Sequence, residues 1–322
     1  VDVELSHVNF GYTGIKNTTV TVAKQGLTTP WTVAIDSDGN EQTGTGILGL
    51  TTVGPVTLAA AYFNQTSLDK KTDASVSTLN GTNKLTTTTS NNVTEGYGDI
   101  ITVGAIANLD FITLDAWYLD LAETFDSYTI GAKADFDLSD VKLGLDARYV
   151  SLTLDEKLNG TTDNSIAKIA LTAKAGIVNG KVAYATTDKD GGLTALDNDA
   201  NTTLLGWNLN ANGKADADYW QVVAGVDILS NLNLSANYGN IQYITAANST
   251  TDVEEEEVYA QLLYKMSKNL TSYVRYGVFT QDSSSHTYKS SVAGSGENAK
   301  HGDSRADSVD DTRGRIQIAY TF

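Results

Sequence analysis

The sequence contains no cysteine, two prolines and one methionine in 322 residues. Without cysteine there is no disulfide framework, no thiolate metal site and no thiol nucleophile. Few prolines leave long stretches free to pair as strands, since proline removes a ladder hydrogen bond. Positive charge is also short: 22 Lys+Arg stand against 39 Asp+Glu, a formal net charge of -17. That balance excludes the basic face a nucleic-acid binder needs. No run approaches the roughly 18 apolar residues of a transmembrane helix. A transmembrane β-barrel stays open, because its segments give a much weaker signal. The three histidines, His7, His286 and His301, have no metal-ligand spacing. No serine sits in a nucleophile elbow and no glycine-rich phosphate loop occurs, so no enzyme is expected. The chain does not begin with methionine and shows no signal peptide, so a processed chain or a fragment is expected.

What the sequence does have is a period of two. At the C-terminus Ile316, Ile318, Tyr320 and Phe322 share one face, while Arg315, Gln317, Ala319 and Thr321 share the other. Successive strand side chains point to opposite faces, so this is a strand apolar on one side only. The same alternation runs through Tyr128–Phe136, Val141–Tyr149, Trp220–Ile228 and Ser272–Val278. Fifteen strands are expected, near 4–12, 17–25, 44–52, 56–64, 96–107, 110–122, 126–137, 140–153, 165–178, 181–187, 217–229, 232–244, 256–266, 270–281 and 312–322. Most reach the roughly 9–11 residues that a tilted strand needs to cross a bilayer.

The connections carry more information. Residues 13–16, 53–55, 108–109, 138–139, 179–180, 230–231 and 267–269 are short, with Asn179-Gly180 read as a type I′ hairpin turn. Residues 26–43, 65–95, 154–164, 188–216, 245–255 and 282–311 are long and polar, and 123–125 is their one short member. Short and long alternate along the chain, as in a barrel with tight turns at one end and loops at the other. Tyr12, Tyr62, Tyr118, Tyr149, Tyr238 and Tyr320 lie near strand ends, where an interfacial girdle would place them. The fold expected is all-β, a transmembrane antiparallel barrel forming one domain over residues 1–322. Its first and last strands would run the same way, so an odd number of upstream strands is expected to be missing from this chain.

Specific residues then point to a family. The terminal Tyr320 and Phe322 resemble the C-terminal strand that outer-membrane barrels present to their assembly machinery. The segment Val22-Ala23-Lys24-Gln25-Gly26-Leu27, with Pro30-Trp31-Thr32, Ala34-Ile35-Asp36, Gly44-Thr45-Gly46 and Val56-Thr57-Leu58-Ala59-Ala60, resembles the major outer-membrane porins of Campylobacter and relatives. The resemblance covers about forty residues and implies an eighteen-stranded trimeric porin, fifteen strands of it in this chain. It makes 26–43 a loop folded into the lumen, and it implies residence in the outer membrane of a Gram-negative bacterium.

On that reading Asp36, Asp38 and Glu41 form an acidic constriction, since clustered carboxylates attract cations. Inward Lys133, Arg148, Lys168, Lys174, Arg275 and Arg315 form a facing basic wall. No cofactor is required. The run 36–41 echoes a calcium loop, so Ca²⁺ held by Asp36, Asp38 and Asp73 is a further expectation. Glu254–Glu257 reads as a solvated loop edge. Expected partners are two further copies of the chain, outer-membrane lipid and lipopolysaccharide, cations and small hydrophilic solutes. The function expected is general diffusion with cation preference. The alternative is a structural or adhesive barrel with a blocked lumen and ligand-binding loops.

Overall fold

A computed structural model describes residues 7–36, 41–67, 99–122, 124–155, 163–245, 251–286 and 303–320. Fifteen strands run through them. The first five are β1 Val8–Tyr12, β2 Thr18–Gly26, β3 Thr43–Val53, β4 Val56–Thr66 and β5 Ile100–Leu109. Next come β6 Ile112–Leu121, β7 Phe125–Leu138, β8 Val141–Leu154, β9 Asp163–Ala175 and β10 Val178–Thr187. The last five are β11 Ala215–Leu229, β12 Leu232–Ile244, β13 Thr251–Lys265, β14 Leu270–His286 and β15 Asp303–Tyr320. Each strand pairs with the next in one sheet ordered β1 to β15, as the fifteen-strand expectation required. All pairs are antiparallel, so β1 and β15, the two edges of the described sheet, run in the same direction.

Tight turns set the register. Two-residue links at 54–55, 110–111, 139–140 and 176–177 each open on a positive φ, at Gly54 (59°), Asp110 (47°), Ser139 (58°) and Gly176 (57°). A positive φ at the first turn residue matches the twist of the flanking strands. The turn expected at Asn179-Gly180 is therefore displaced to Gly176-Ile177. Asn179 and Gly180 lie inside β10, opposite Lys174 and Ala173. The displaced turn puts Lys181 opposite Thr172 and Val182 opposite Leu171, so polar meets polar inside and apolar meets apolar outside.

Two expected loops shorten as well. β13 starts at Thr251, β14 runs to His286 and β15 starts at Asp303, so 245–255 and 282–311 are partly strand. The added residues are mostly polar in sequence, with Val253 and Val309 as exceptions. Alternation is then lost, and with it the sequence signal.

The outward face is apolar. Leu171, Val182, Trp220, Val222, Val258, Leu262, Val274 and Ile316 are all exposed there. Tyr12 and Tyr320 lie at the turn end of this face, and Tyr62, Tyr118, Tyr149 and Tyr238 toward the loop end, all exposed. Aromatic contacts reinforce both belts: Phe111 and Phe136 lie 5.6 Å apart, and Tyr184 and Trp220 4.4 Å apart. The buried core lies on the opposite, concave side. There Phe63, Ile100, Leu119, Leu121, Phe125, Leu152 and Leu154 turn inward near the loop end and pack against loop residues.

Candidate functional site: a lumen narrowed by two loops

Two loops fold onto the inner wall. The first, described at residues 27–36 and 41–42, has Leu27 N–H donating to Gln42 O (2.8 Å) and Gln42 N–H to Ala34 O (2.9 Å). Trp31 is fully buried, and its Nε1 donates to Ser127 Oγ of β7 at 2.8 Å. A buried indole needs such an acceptor, and the Ser127 hydroxyl in turn donates a hydrogen bond to Ser151 O at 2.7 Å. Leu27 and Trp31 thereby join the cluster of inward apolar residues on β4 to β8.

The second loop, residues 188–214, falls in the segment 188–216 expected as a long polar connection, and it packs along the inner wall. Leu193 and Leu196 enter the cluster that holds Trp31, while Leu204, Leu209 and Ala211 pack with Val150, Ile166, Tyr219, Ile241 and Phe279. The loop is tied to the wall on several strands. Lys168 Nζ of β9 donates to Thr203 O at 2.8 Å, and Gln221 Nε2 of β11 to Leu205 O at 2.8 Å. Arg313 Nη1 of β15 donates to Asn208 Oδ1 at 2.8 Å.

The strongest tie involves the acidic run. Glu254–Glu257 is not a loop edge but part of β13, so its residues alternate between faces. Glu254 and Glu256 point outward and accept from Asn240 (2.8 Å) and Tyr238 (2.9 Å). Glu257 points inward, is 2% exposed, and accepts the backbone N–H groups of Trp207 (2.9 Å) and Asn208 (2.7 Å). Glu255 is ion-paired with Lys214 and accepts from Tyr243 at 2.8 Å. Burial lowers the pKa of the Lys214 ammonium, and Glu255 works against that shift. A Cβ at Gly206 would run into the Glu257 carboxylate, so the loop approaches closely only because Gly206 lacks one.

The two loops also join each other. Trp31 O accepts from Leu196 N–H (2.9 Å) and Asp197 N–H (3.2 Å), while Gln42 Nε2 donates to Asp197 Oδ2 (2.8 Å). Asp197 is fully buried at this junction.

The residues expected to line the pore fall as follows. Asp36 and Glu41 lie on the first loop, where Ile35 and Glu41 form a backbone bridge. Asp38, Asp73 and Phe322 lie outside the described residues, and Tyr320 ends β15 on the outward face. All six basic residues lie on the inward side of their strands, with Arg148 opposite Lys168 and Arg275 opposite Arg315. Arg148 forms a two-bond pair with Asp115 (2.9 and 2.8 Å), and Lys174 meets Asp227 at 2.6 Å. Arg275 donates to Gln261 at 2.6 Å and stacks 4.4 Å from the Tyr273 ring. Sequence reasoning missed Trp31, Asp197, Lys181, Lys214, Glu255 and Glu257. One signal was available: Leu193, Leu196, Leu204, Leu205, Trp207 and Leu209 are too many large apolar residues for a loop lying in water.

A single antiparallel sheet with an apolar outer face, aromatic belts and charged inner wall defines an outer-membrane porin fold. The chain matches the family model "Campylobacter major outer membrane protein" over residues 2–300 and belongs to that family. The protein is thus a porin-like channel of the Gram-negative outer membrane. No curated protein matches it. Among solved structures it is similar to OccAB3 of Acinetobacter baumannii, at TM-score 0.69 and 13% identity, covering 94% of this chain and 75% of that one. OccK5 (OpdH) of Pseudomonas aeruginosa gives 0.67 and 15%, covering 95% and 79%. OccK2 (OpdF) of Pseudomonas aeruginosa, in complex with glucuronate, gives 0.67 and 14%, covering 96% and 79%.

Proposed function

We propose that the protein is a general-diffusion porin for ions and small hydrophilic solutes, with a preference for cations. The observation that carries this reading is the pair of inward loops joined through Gln42 and Asp197, facing a wall of charged side chains. In this reading the junction narrows the path, and the second loop rests on the wall through Lys168, Gln221 and Arg313. Asp36 and Glu41 stand on the first loop, and carboxylates at a narrow point favour cations over anions. Glucuronate, present in the OccK2 complex, is a small hydrophilic anion, which supports access of solutes of that size to this fold but not the preference for cations. In this reading the outward apolar band contacts lipid, with lipopolysaccharide at the loop end, and the working unit is a homotrimer.

Planar-bilayer recording tests it. Discrete conductance steps and a cation-directed reversal potential in a salt gradient are expected. Converting Asp36→Asn, Asp38→Asn and Glu41→Gln together should reduce that preference. Unchanged selectivity would remove these residues from the constriction. The packing of loop 188–214 along the inner wall favours a second reading, an adhesive barrel with a blocked lumen, and absence of conductance steps would select it.

A further inference from the structure

Between the inner wall and the second loop lies a recess of about 360 Å³, lined by Lys133, Asp135, Asp146, Lys168, Lys181 and Leu204 among others. We propose that it docks small zwitterions, above all α-amino acids, during their passage; the proposal rests on the channel reading above. Three observations carry it.

The side chains of Lys133, Asp135 and Asp146 take part in none of the hydrogen bonds or ion pairs among the described residues. Lys133 and Asp146 are direct cross-strand neighbours on β7 and β8, yet they form no ion pair. Three other charges on the same wall are matched: Arg148 with Asp115, Lys174 with Asp227, Lys142 with Asp137.

The two remaining lysines are held only by neutral acceptors. Lys168 donates to Thr203 O at 2.8 Å and Lys181 to Gln221 Oε1 at 3.0 Å. An ammonium has three donors, so each retains two for a guest carboxylate. Their positive charge is left to Asp146, which acts electrostatically on both.

Both signs are therefore present and close together in one recess, with donors on Lys168 and Lys181 and the side chains of Lys133, Asp135 and Asp146 unbonded. A simple anion would leave Asp135 and Asp146 facing it with like charge, and a simple cation would face three lysines. A molecule carrying a carboxylate and an ammonium on adjacent atoms satisfies both. Leu204, brought in by the second loop, provides an apolar surface for a small aliphatic side chain.

Liposome swelling tests the idea with alanine as the zwitterion and arabinose as the neutral solute, using the full chain. Wild-type vesicles should admit alanine faster than its size alone predicts relative to arabinose. Asp135→Asn with Asp146→Asn, positions that make no bond to the rest of the fold, should slow alanine by about threefold, the scale of one or two solvent-screened charge contacts. Lys181→Gln should do the same, and neither variant should change arabinose. If the acid variant leaves alanine unchanged or speeds it, the recess is an anion site or a hydrated wall and the proposal fails. Equal slowing of both solutes also overturns it. No arabinose entry in any variant would overturn the channel reading itself.

Discussion

Arg148 and Asp115 meet across an intervening strand. Asp115 on β6, Gly131 on β7 and Arg148 on β8 stand in one inward row, and the two side chains join above Gly131. A Cβ at Gly131 would run into both the guanidinium and the carboxylate. The pair is largely shielded, with side chains 9% and 16% exposed. Removing one member leaves a nearly buried charge without its partner, so Asp115→Ala should cost on the order of 3 kcal/mol. Gly131→Ala should act in the same direction by forcing the pair apart. Both are read as a lower urea midpoint with unchanged slope in lipid vesicles. At Ser139 the sign reverses. This serine holds a φ of 58° in a two-residue turn, a conformation that costs a side chain about 1 kcal/mol. Ser139→Gly should raise the midpoint, whereas Ser139→Val should lower it.

The period of two that revealed fifteen strands works because lipid on one side and water on the other impose opposite demands on successive residues. It fails wherever both sides are alike. At the upper end of β13 the run Glu254–Glu257 is charged on both faces, so 254–255 fell in an expected loop and the run read as a solvated edge at the strand entry. At Leu119, Leu121, Leu152 and Leu154 the inner face is apolar too, because loops cover it. The inward placement of the six basic residues was legible from strand parity alone. Lys181 and Glu257 were not, since the one was assigned to a strand start beside a misplaced turn and the other to solvent. Glu257 now has a definite role to test. Two backbone N–H groups of the second loop end on its carboxylate. Glu257→Ala would leave both without an acceptor, at roughly 1–3 kcal/mol each if they stay buried. The loop should loosen while the sheet persists. Single-channel traces should then show higher or noisier conductance with an unaltered far-ultraviolet β spectrum. A trace identical to wild type would mean that the loop is held by its apolar contacts alone.

Across the whole molecule, one face dissolves in lipid and the other in water, and adjacent residues report which is which. Val222 points outward and is exposed, while Val223 points inward opposite Lys181. Arginine at Val222 should cost about 2–4 kcal/mol of stability in a bilayer. Arginine at Val223 should cost far less and shift ion selectivity instead. Refolding yield into vesicles separates the two. Charge acts at the same scale. A net charge of -17 does not by itself make the pore selective, because acids on remote loops act only within a screening length. That length falls from about 30 Å at 0.01 M salt to about 3 Å at 1 M. The inner wall is mixed: Lys142, Arg148 and Lys174 are each matched by an acid, as is Lys214 on the second loop. The proposed cation preference would then come either from distant loops or from the proposed constriction carboxylates. The reversal potential at fixed gradient ratio distinguishes them. If loop charge dominates, cation preference should be strong in dilute salt and vanish near 1 M. If Asp36 and Glu41 dominate, a reduced preference should persist at 1 M, because an ion passing within a few ångströms is not screened from them. We expect persistence, since the first loop is pinned to the wall by Trp31 and to the second loop by Gln42. Trp31→Ala should then convert the persistent behaviour into the salt-sensitive one, by freeing the loop that holds the acids in place.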